Sequence, residues 1–309
     1  MSDEEYDYEK DLWQSAAREE GAGRASAYVN LARIAFDRGK FNEALAMCET
    51  ARDIYEGQSV DHYRLFDVNL GIARSYEKLQ RFTEAADAMG KAVDAARIID
   101  HEDLDDLLRD HGRYWYGANE YEKSIACHQE AMSISQLHMS NESPEMDYFN
   151  IGLGLQDLKR YPEAIEAFKK SRAAYKELGE IANAVDCDYR LTQIFAELEN
   201  AVEIIHYGQP ALDFYTVLNI DRRVWTLKYF LGIAHRILGD LPVAGELFDQ
   251  ARNLAQAMGW NEWEFLIKVD KECAQIYRAN GLVDEAEEIL RRVKSIESLA
   301  AKEQVYEAA

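Results

Sequence analysis

Seven stretches of this chain can be written under one another in a single register, and that alignment limits the fold more than any other feature. They are RGKFNEALAMC (38–48), LQRFTEAADAM (79–89), ANEYEKSIACH (118–128), LKRYPEAIEAF (158–168), LENAVEIIHYG (198–208), LGDLPVAGELF (238–248) and NGLVDEAEEIL (280–290). The small residue near the middle of each serves as an anchor: Ala44, Ala85, Ser124, Ala164, the exceptional Ile204, Ala244 and Ala286. The steps between anchors are 41, 39, 40, 40, 40 and 42 residues. A period in this range marks units that cannot bury an apolar face alone and so stack on one another.

Twelve residues before each anchor stands another small residue: Ala32, Ala73, Gly112, Gly152, Thr192, Gly232 and Ala274. Seven residues after it come Ala51, Ala92, Ala131, Ser171, Ala211, Ala251 and, as the exception, Val293. Small side chains at matched points on two successive helices let the helix axes approach closely. Short turns such as Arg38-Gly39-Lys40 and Gly239-Asp240 separate the two helices. Glycine there can adopt a left-handed cap, and Pro162 or Pro242 can open the next helix without losing a useful N–H. An aromatic or aliphatic residue follows each turn (Phe41, Phe82, Tyr121, Tyr161, Leu241, Leu282), with Ala201 the weak case.

This small–large–small spacing resembles the tetratricopeptide repeat. The family's L-G-x-x-Y element is approximated by Leu31-Ala32 with Ala35, Ile72-Ala73 with Tyr76, Ile151-Gly152 with Leu155, and Leu231-Gly232 with His235. Its A-x3-F-x2-A element appears as Ala164, Phe168 and Ser171, and again as Ala244, Phe248 and Ala251. The similarity covers about residues 25–300. HEAT and armadillo repeats run near this period but do not predict this small-residue register. The resemblance implies an all-α fold, a right-handed α-solenoid of about seven helical hairpins with a C-terminal capping helix, in a long-helix variant of the repeat. The added residues are expected between one hairpin and the next, in connectors such as EGQSVDHYR, SQLHMSNESPEM and MGWNEWEF. Within the second of these, Ser143-Pro144 reads as a cap followed by a first-turn proline. Residues 1–24 are read as an acidic tail with a packing helix bearing Leu12, Trp13 and Ala16 at helical spacing. Residues 25–309 are read as the solenoid, its final helix running on through LAAKEQVYEA as the cap.

Composition agrees with helix and excludes several functions. The 309 residues are 48% hydrophobic with only 4 Pro, and the mean hydropathy is −0.42. No apolar run is long enough to cross a bilayer, and the N-terminus MSDEEYDYEK is acidic where a secretory signal needs basic and then apolar residues. The expected location is cytoplasmic, which leaves the sequon Asn141-Glu142-Ser143 idle. Cys48, Cys127, Cys187 and Cys273 form no CxxC pair and are expected to be buried thiols.

The seven histidines make no HExxH or i, i+4 pair, so no metal site is expected. His128 and His235 fall at core positions of the register. Gly152 and Gly154 lie inside a helical phrase, without the third glycine or preceding strand of a dinucleotide site. The run DHEDLDDLLRD (100–110) reads as the opening of a helix, where carboxylates meet the positive end of the dipole, and it lacks the glycine and alternating ligands of a calcium loop. No cofactor and no enzymatic activity are expected.

With 57 acidic and 35 basic residues the formal charge is −22, which argues against nonspecific binding to nucleic acid or to an anionic membrane and leaves proteins and peptides as partners. The resemblance implies a noncatalytic scaffold or adaptor that presents its first helices along a concave groove. One alternative is a bacterial regulator resembling Rap-type signalling-peptide receptors, although only about 24 residues precede the first repeat, few for an output module. Another is an acidic inhibitor mimicking DNA.

Offsets −6, −3, −2, +1, +4 and +5 from each first-helix small residue form one stripe at i, i+3, i+4, i+7 spacing. That stripe carries the candidate groove residues. Asn30, Arg33, Arg74, Arg109 and Arg113 make a basic part. Phe149, Asn150, Tyr189, Arg190, Tyr229 and Phe230 make a part that is mostly aromatic. The ligand expected for such a face has acidic groups for the arginines and an apolar or aromatic anchor for the rest. The competing reading is that Asp37, Asp106 and Asp110 neutralise the arginines and that Tyr229 belongs to the core.

Overall fold

The computed structural model describes residues 3–58, 61–137, 144–257 and 263–307, with side chains for 8–58, 61–137, 144–257 and 263–298. Among the described residues there are fifteen α-helices and no strand. In chain order they are α1 (Asp3–Arg18), α2 (Gly21–Asp37), α3 (Phe41–Glu56), α4 (His62–Lys78), α5 (Phe82–Ile98), α6 (Leu104–Gly117), α7 (Tyr121–Leu137) and α8 (Glu145–Asp157). There follow α9 (Tyr161–Glu177), α10 (Ile181–Glu197), α11 (Ala201–Val217), α12 (Asp221–Ile237), α13 (Leu241–Ala257), α14 (Trp263–Ala279) and α15 (Val283–Glu307). The chain divides into two compact units, Met1–Ala167 and Phe168–Ala309.

Helices α1 to α8 pack on their neighbours in sequence in the first unit, and α10 to α15 do so in the second. More lightly, the first helix of one hairpin meets the first helix of the next: α2 on α4 and α6 on α8 in the first unit, α10 on α12 and α12 on α14 in the second. This is the all-α solenoid the period requires. All three small positions of every hairpin are buried, the exceptional Ile204 and Val293 included. The reason is close packing. A Cβ added at Gly232 would stand 2.6 Å from the Phe248 ring, and one at Gly112 would stand 2.9 Å from the His128 ring. The helix α5 shows the consequence of burial on two sides, with Ala85, Ala86, Ala88, Met89, Ala92, Val93, Ala95 and Ala96 all inside. Four residues past the anchors, Met89, Phe168 and Phe248 are fully buried, each such side chain contributing about 1.5–3 kcal/mol.

The hairpin turns share one backbone solution. Gly39, Gln80, Asn119, Lys159, Glu199, Gly239 and Gly281 all have positive φ, between 51° and 81°. Around Lys159, its N–H donates to Gln156 O at 2.9 Å and that of Arg160 to Leu155 O at 2.8 Å, the double closure of a Schellman cap. Glycine was the expected occupant, yet four of the seven turns use a residue with a Cβ.

The expected location of the added residues needs correction. Most helices here are 16 or 17 residues long, and the links at 178–180 and 218–220 hold only three residues. The extra length therefore extends the helices themselves, because each added residue gains a backbone hydrogen bond and continues an apolar face, with Tyr55, Ala96 and Tyr215 buried beyond the anchor region. Parts of all three named connectors, Ser143 and the sequon lie outside the described residues. Pro144 is the residue before α8 rather than its first turn.

At the N-terminus, α1 is helical from Asp3, where an acidic tail was expected. Its Ala16 packs with Leu12 against Ala27, Leu31 and Tyr28 of α2, and Trp13 meets Tyr28 edge-on at 6.5 Å.

Candidate functional site

The spacing of the first-helix stripe brings Asn30, Arg33 and Arg74 to one cleft of about 570 Å³ in the first unit. Helix α2 contributes Val29, Asn30, Arg33, Phe36 and Asp37, and α4 contributes Asp67, Leu70, Gly71 and Arg74. Ala32, Ala44, Cys48 and Ser75 complete the lining. Gly71 keeps it open, since a Cβ there would come within 2.9 Å of Cys48 Sγ. Arg33 and Arg74 are exposed, and neither has a hydrogen-bond or ion-pair partner among the described residues. Asn30 Nδ2 donates to Ser26 O at 3.1 Å. Burial raises the Asp67 carboxyl above the usual aspartate range, although His101 pulls the other way. Burial likewise pushes the Cys48 thiol up to about 12, so it stays protonated and is no nucleophile. The cleft can meet a ligand with two free guanidinium forks, two carboxylates and an apolar wall.

Arg109 does not join them, and here the expected basic row is corrected. Its side chain is only 15% exposed and its guanidinium is taken up internally: Nη1 reaches Asp106 at 2.8 Å and Asp105 at 3.4 Å, and Nε reaches Asp147 of α8 at 3.0 Å. Nη2 donates to Ser135 Oγ at 2.8 Å, and Ser135 in turn donates to Asp105 at 2.6 Å. His128 closes the cluster through Nδ1 to Asp147 Oδ1 at 2.8 Å, the hydrogen-bonded core histidine expected from the register. Buried carboxylates of this kind persist only when paired and hydrogen-bonded. Arg113 is intermediate. Its side chain is 58% exposed, with Asp110 at 3.0 Å and Glu77 at 3.3 Å. Phe149 and Asn150 lie half-buried on α8, outside this cleft.

In the second unit, Tyr189 and Arg190 line a separate cavity of about 530 Å³ with Gln193, Arg222, Arg223, Trp225, Thr226, Glu264, Phe265 and Lys268. The guanidinium of Arg223 lies 4.0 Å above the Tyr189 ring. Tyr229 is half-buried and belongs with the core, as the competing reading had it. Its ring packs on Phe248 at 5.8 Å and Phe265 at 5.3 Å, and burial pushes its hydroxyl up to about 12. Phe230 is half-buried beside it, 5.6 Å between ring centres.

Sequence reasoning passed over Arg222, Arg223 and Trp225 because they fall outside the stripe offsets. It also missed a repeated staple: Arg172 pairs with buried Asp188, and Arg252 with buried Asp270, which Arg292 grips as well at 2.7 Å. The signal was present. Both arginines stand eight residues after an anchor (Ala164, Ala244) and both aspartates four before a first-helix small residue (Thr192, Ala274).

With this geometry in place, residues 23–98 match the family model of the tetratricopeptide repeat, and the same small-residue register continues through the later hairpins. No curated protein sequence matches it. Among solved structures, a signal transduction ATPase with numerous domains from Pyrococcus horikoshii, with a tetratricopeptide repeat sensor, is similar over 97% of this chain and 45% of its own, at 14% identity and TM-score 0.69. The chain thus spans less than half of that relative. The apo form of RapI is similar over 90% of this chain and 99% of its own, at 13% identity and TM-score 0.56. Aspartyl phosphate phosphatase F from Bacillus subtilis is similar over 89% and 72%, at 16% identity and TM-score 0.51.

Proposed function

We propose that this chain is a noncatalytic, cytoplasmic scaffold that binds a protein or peptide along its first helices, with the cleft of Asn30, Arg33 and Arg74 as the leading contact. The observation that carries this reading is the pair of exposed guanidinium groups with no hydrogen-bond or ion-pair partner among the described residues, on a cleft walled by Val29, Phe36 and Leu70. Carboxylates of the partner would pair with them bidentately while an apolar side chain fills the wall. Fold likeness alone is a weak warrant for function, so the reading rests on these residues. A photo-crosslinking amino acid placed at Phe36, on the wall of this cleft, tests it. Recovery of one protein or peptide in independent preparations supports the reading, and crosslinks to none would sink it.

The second reading, a bacterial regulator resembling Rap-type signalling-peptide receptors, draws support from the fold shared with RapI. Phosphatase turnover on a phosphorylated response regulator, lost on a single substitution, would decide for it and against the scaffold.

A further inference from the structure

The cavity of the second unit has a chemistry that peptide binding in the first unit does not use. Its walls come from α10 (Tyr189, Arg190), α12 (Arg222, Arg223, Trp225) and α14 (Glu264, Phe265, Lys268). Four cationic side chains thus face one carboxylate in a chain whose formal charge is −22. Ordinary surface pairing does not exhaust these donors. Arg223 reaches Asp186 through Nη2 at 3.2 Å, yet its Nη1 is buried with no hydrogen-bond partner among the described residues. Arg190 donates from Nη1 to Gln193 Oε1 at 3.3 Å, while its Nε is buried and unpartnered. Trp225 is only 2% exposed, and its Nε1 has no acceptor among the described residues. Lys268 is exposed and has no partner among them either.

Buried donors left without acceptors are unfavourable, and native proteins leave few of them. Three donors of this kind around a single cationic cavity call for an acceptor from outside the chain. All three are N–H groups, so the missing partner is oxygen-rich and acceptor-only. Its charge can be bounded as well. A carboxylate brings two oxygens and one charge, whereas a phosphate monoester brings three terminal oxygens and a charge near −2 at neutral pH, which matches the excess of two that Arg190, Arg223 and Lys268 leave over Glu264. Phe265 and Tyr189 add aromatic rings to the lining. We infer that this cavity binds a phosphate group, as the free anion or as a monoester, with Arg190, Arg223, Trp225 and Lys268 as its donors.

Isothermal titration of the full chain with phenyl phosphate, inorganic phosphate and benzoate tests the inference. Phenyl phosphate should bind one to one, at least ten-fold more tightly than benzoate, and weaken at least ten-fold in Arg190→Ala and in Lys268→Ala. Lys268 is exposed and makes no hydrogen bond or ion pair among the described residues, so its loss should leave the fold intact if Arg190→Ala should fail to fold. Inorganic phosphate binding as well as phenyl phosphate assigns the site to the free anion, and weaker binding assigns it to an ester; both support the inference. Benzoate binding as tightly as phenyl phosphate, or phenyl phosphate affinity unchanged in Lys268→Ala, overturns it. The double variant Arg33→Ala/Arg74→Ala should bind phenyl phosphate like the wild type, which separates this site from the proposed partner cleft.

Discussion

Arg74 and Arg109 stand on successive first helices, α4 and α6, and on the same stripe, yet one opens into a cleft and the other is walled in. What separates them is the carboxylate that the next hairpin supplies. Asp147 of α8 lies within 3.0 Å of Arg109, and Asp105 and Ser135 finish the enclosure. Nothing comparable reaches Arg74 among the described residues. An arginine on this stripe is therefore a fastener where the following repeat supplies a carboxylate and a contact where it does not, and the two stand at different offsets, Arg74 one residue after its small residue and Arg109 three before.

The sharpest way to break this comparison is to remove the fastening charge. Asp147→Ala leaves Arg109 buried beside a lost partner and strands His128, so it should destabilise the chain by about 3–5 kcal/mol in urea or thermal melts. Arg74→Ala, a surface change touching no partner, should stay within about 0.5 kcal/mol. Equal effects would erase the distinction. A second change probes the packing that holds the cluster. Gly112→Ala puts a Cβ 2.9 Å from the His128 ring and 3.2 Å from Cys127 Cβ, and overpacking of this kind should destabilise by about 1–3 kcal/mol.

The cleft has its own signature in pH. Burial raises Asp67 above its ordinary range, so the folded state holds that proton more tightly than the unfolded one, and stability is lost as pH rises through the folded value. Asp67→Asn should be more stable than wild type at pH 7, and the gap should close as pH falls toward the ordinary aspartate value of about 3.9. A pH-independent difference would mean that burial is not the cause. A smaller effect belongs to the turns. Lys159 has φ of 58° where Gly39 serves the α2–α3 turn, so Lys159→Gly should raise stability by up to about 1 kcal/mol, relief of the left-handed strain exceeding the added freedom of the unfolded chain.

The hairpins were legible because burial punishes any deviation at Ala44, Ala85 or Gly232, and seven copies of one constraint leave a period in the sequence. The left-handed turn was half legible: glycine announces it at Gly39 and Gly239, whereas Lys159 and Glu199 adopt it silently because backbone hydrogen bonds close the cap whatever the side chain. The site was less legible than the fold. Arg33 and Arg74 share one offset of the stripe and Arg109 stands at another, but it takes a three-dimensional neighbour such as Asp147 to show that Arg109 is walled in. Tyr229 looked like a ligand anchor by offset, but Phe248 and Phe265 claim its ring. The Arg172–Asp188 and Arg252–Asp270 staples recur in alternate hairpins, a rhythm that a search for one shared motif passes over.

The central claim, that the two free arginines of the first-unit cleft hold the partner, is tested most directly by titrating the captured partner into the wild type and into Arg33→Ala/Arg74→Ala, with far-UV circular dichroism run alongside. The account predicts a loss on the order of 2–4 kcal/mol, at least about 30-fold in Kd, with helicity unchanged. An unchanged Kd at unchanged helicity would contradict it.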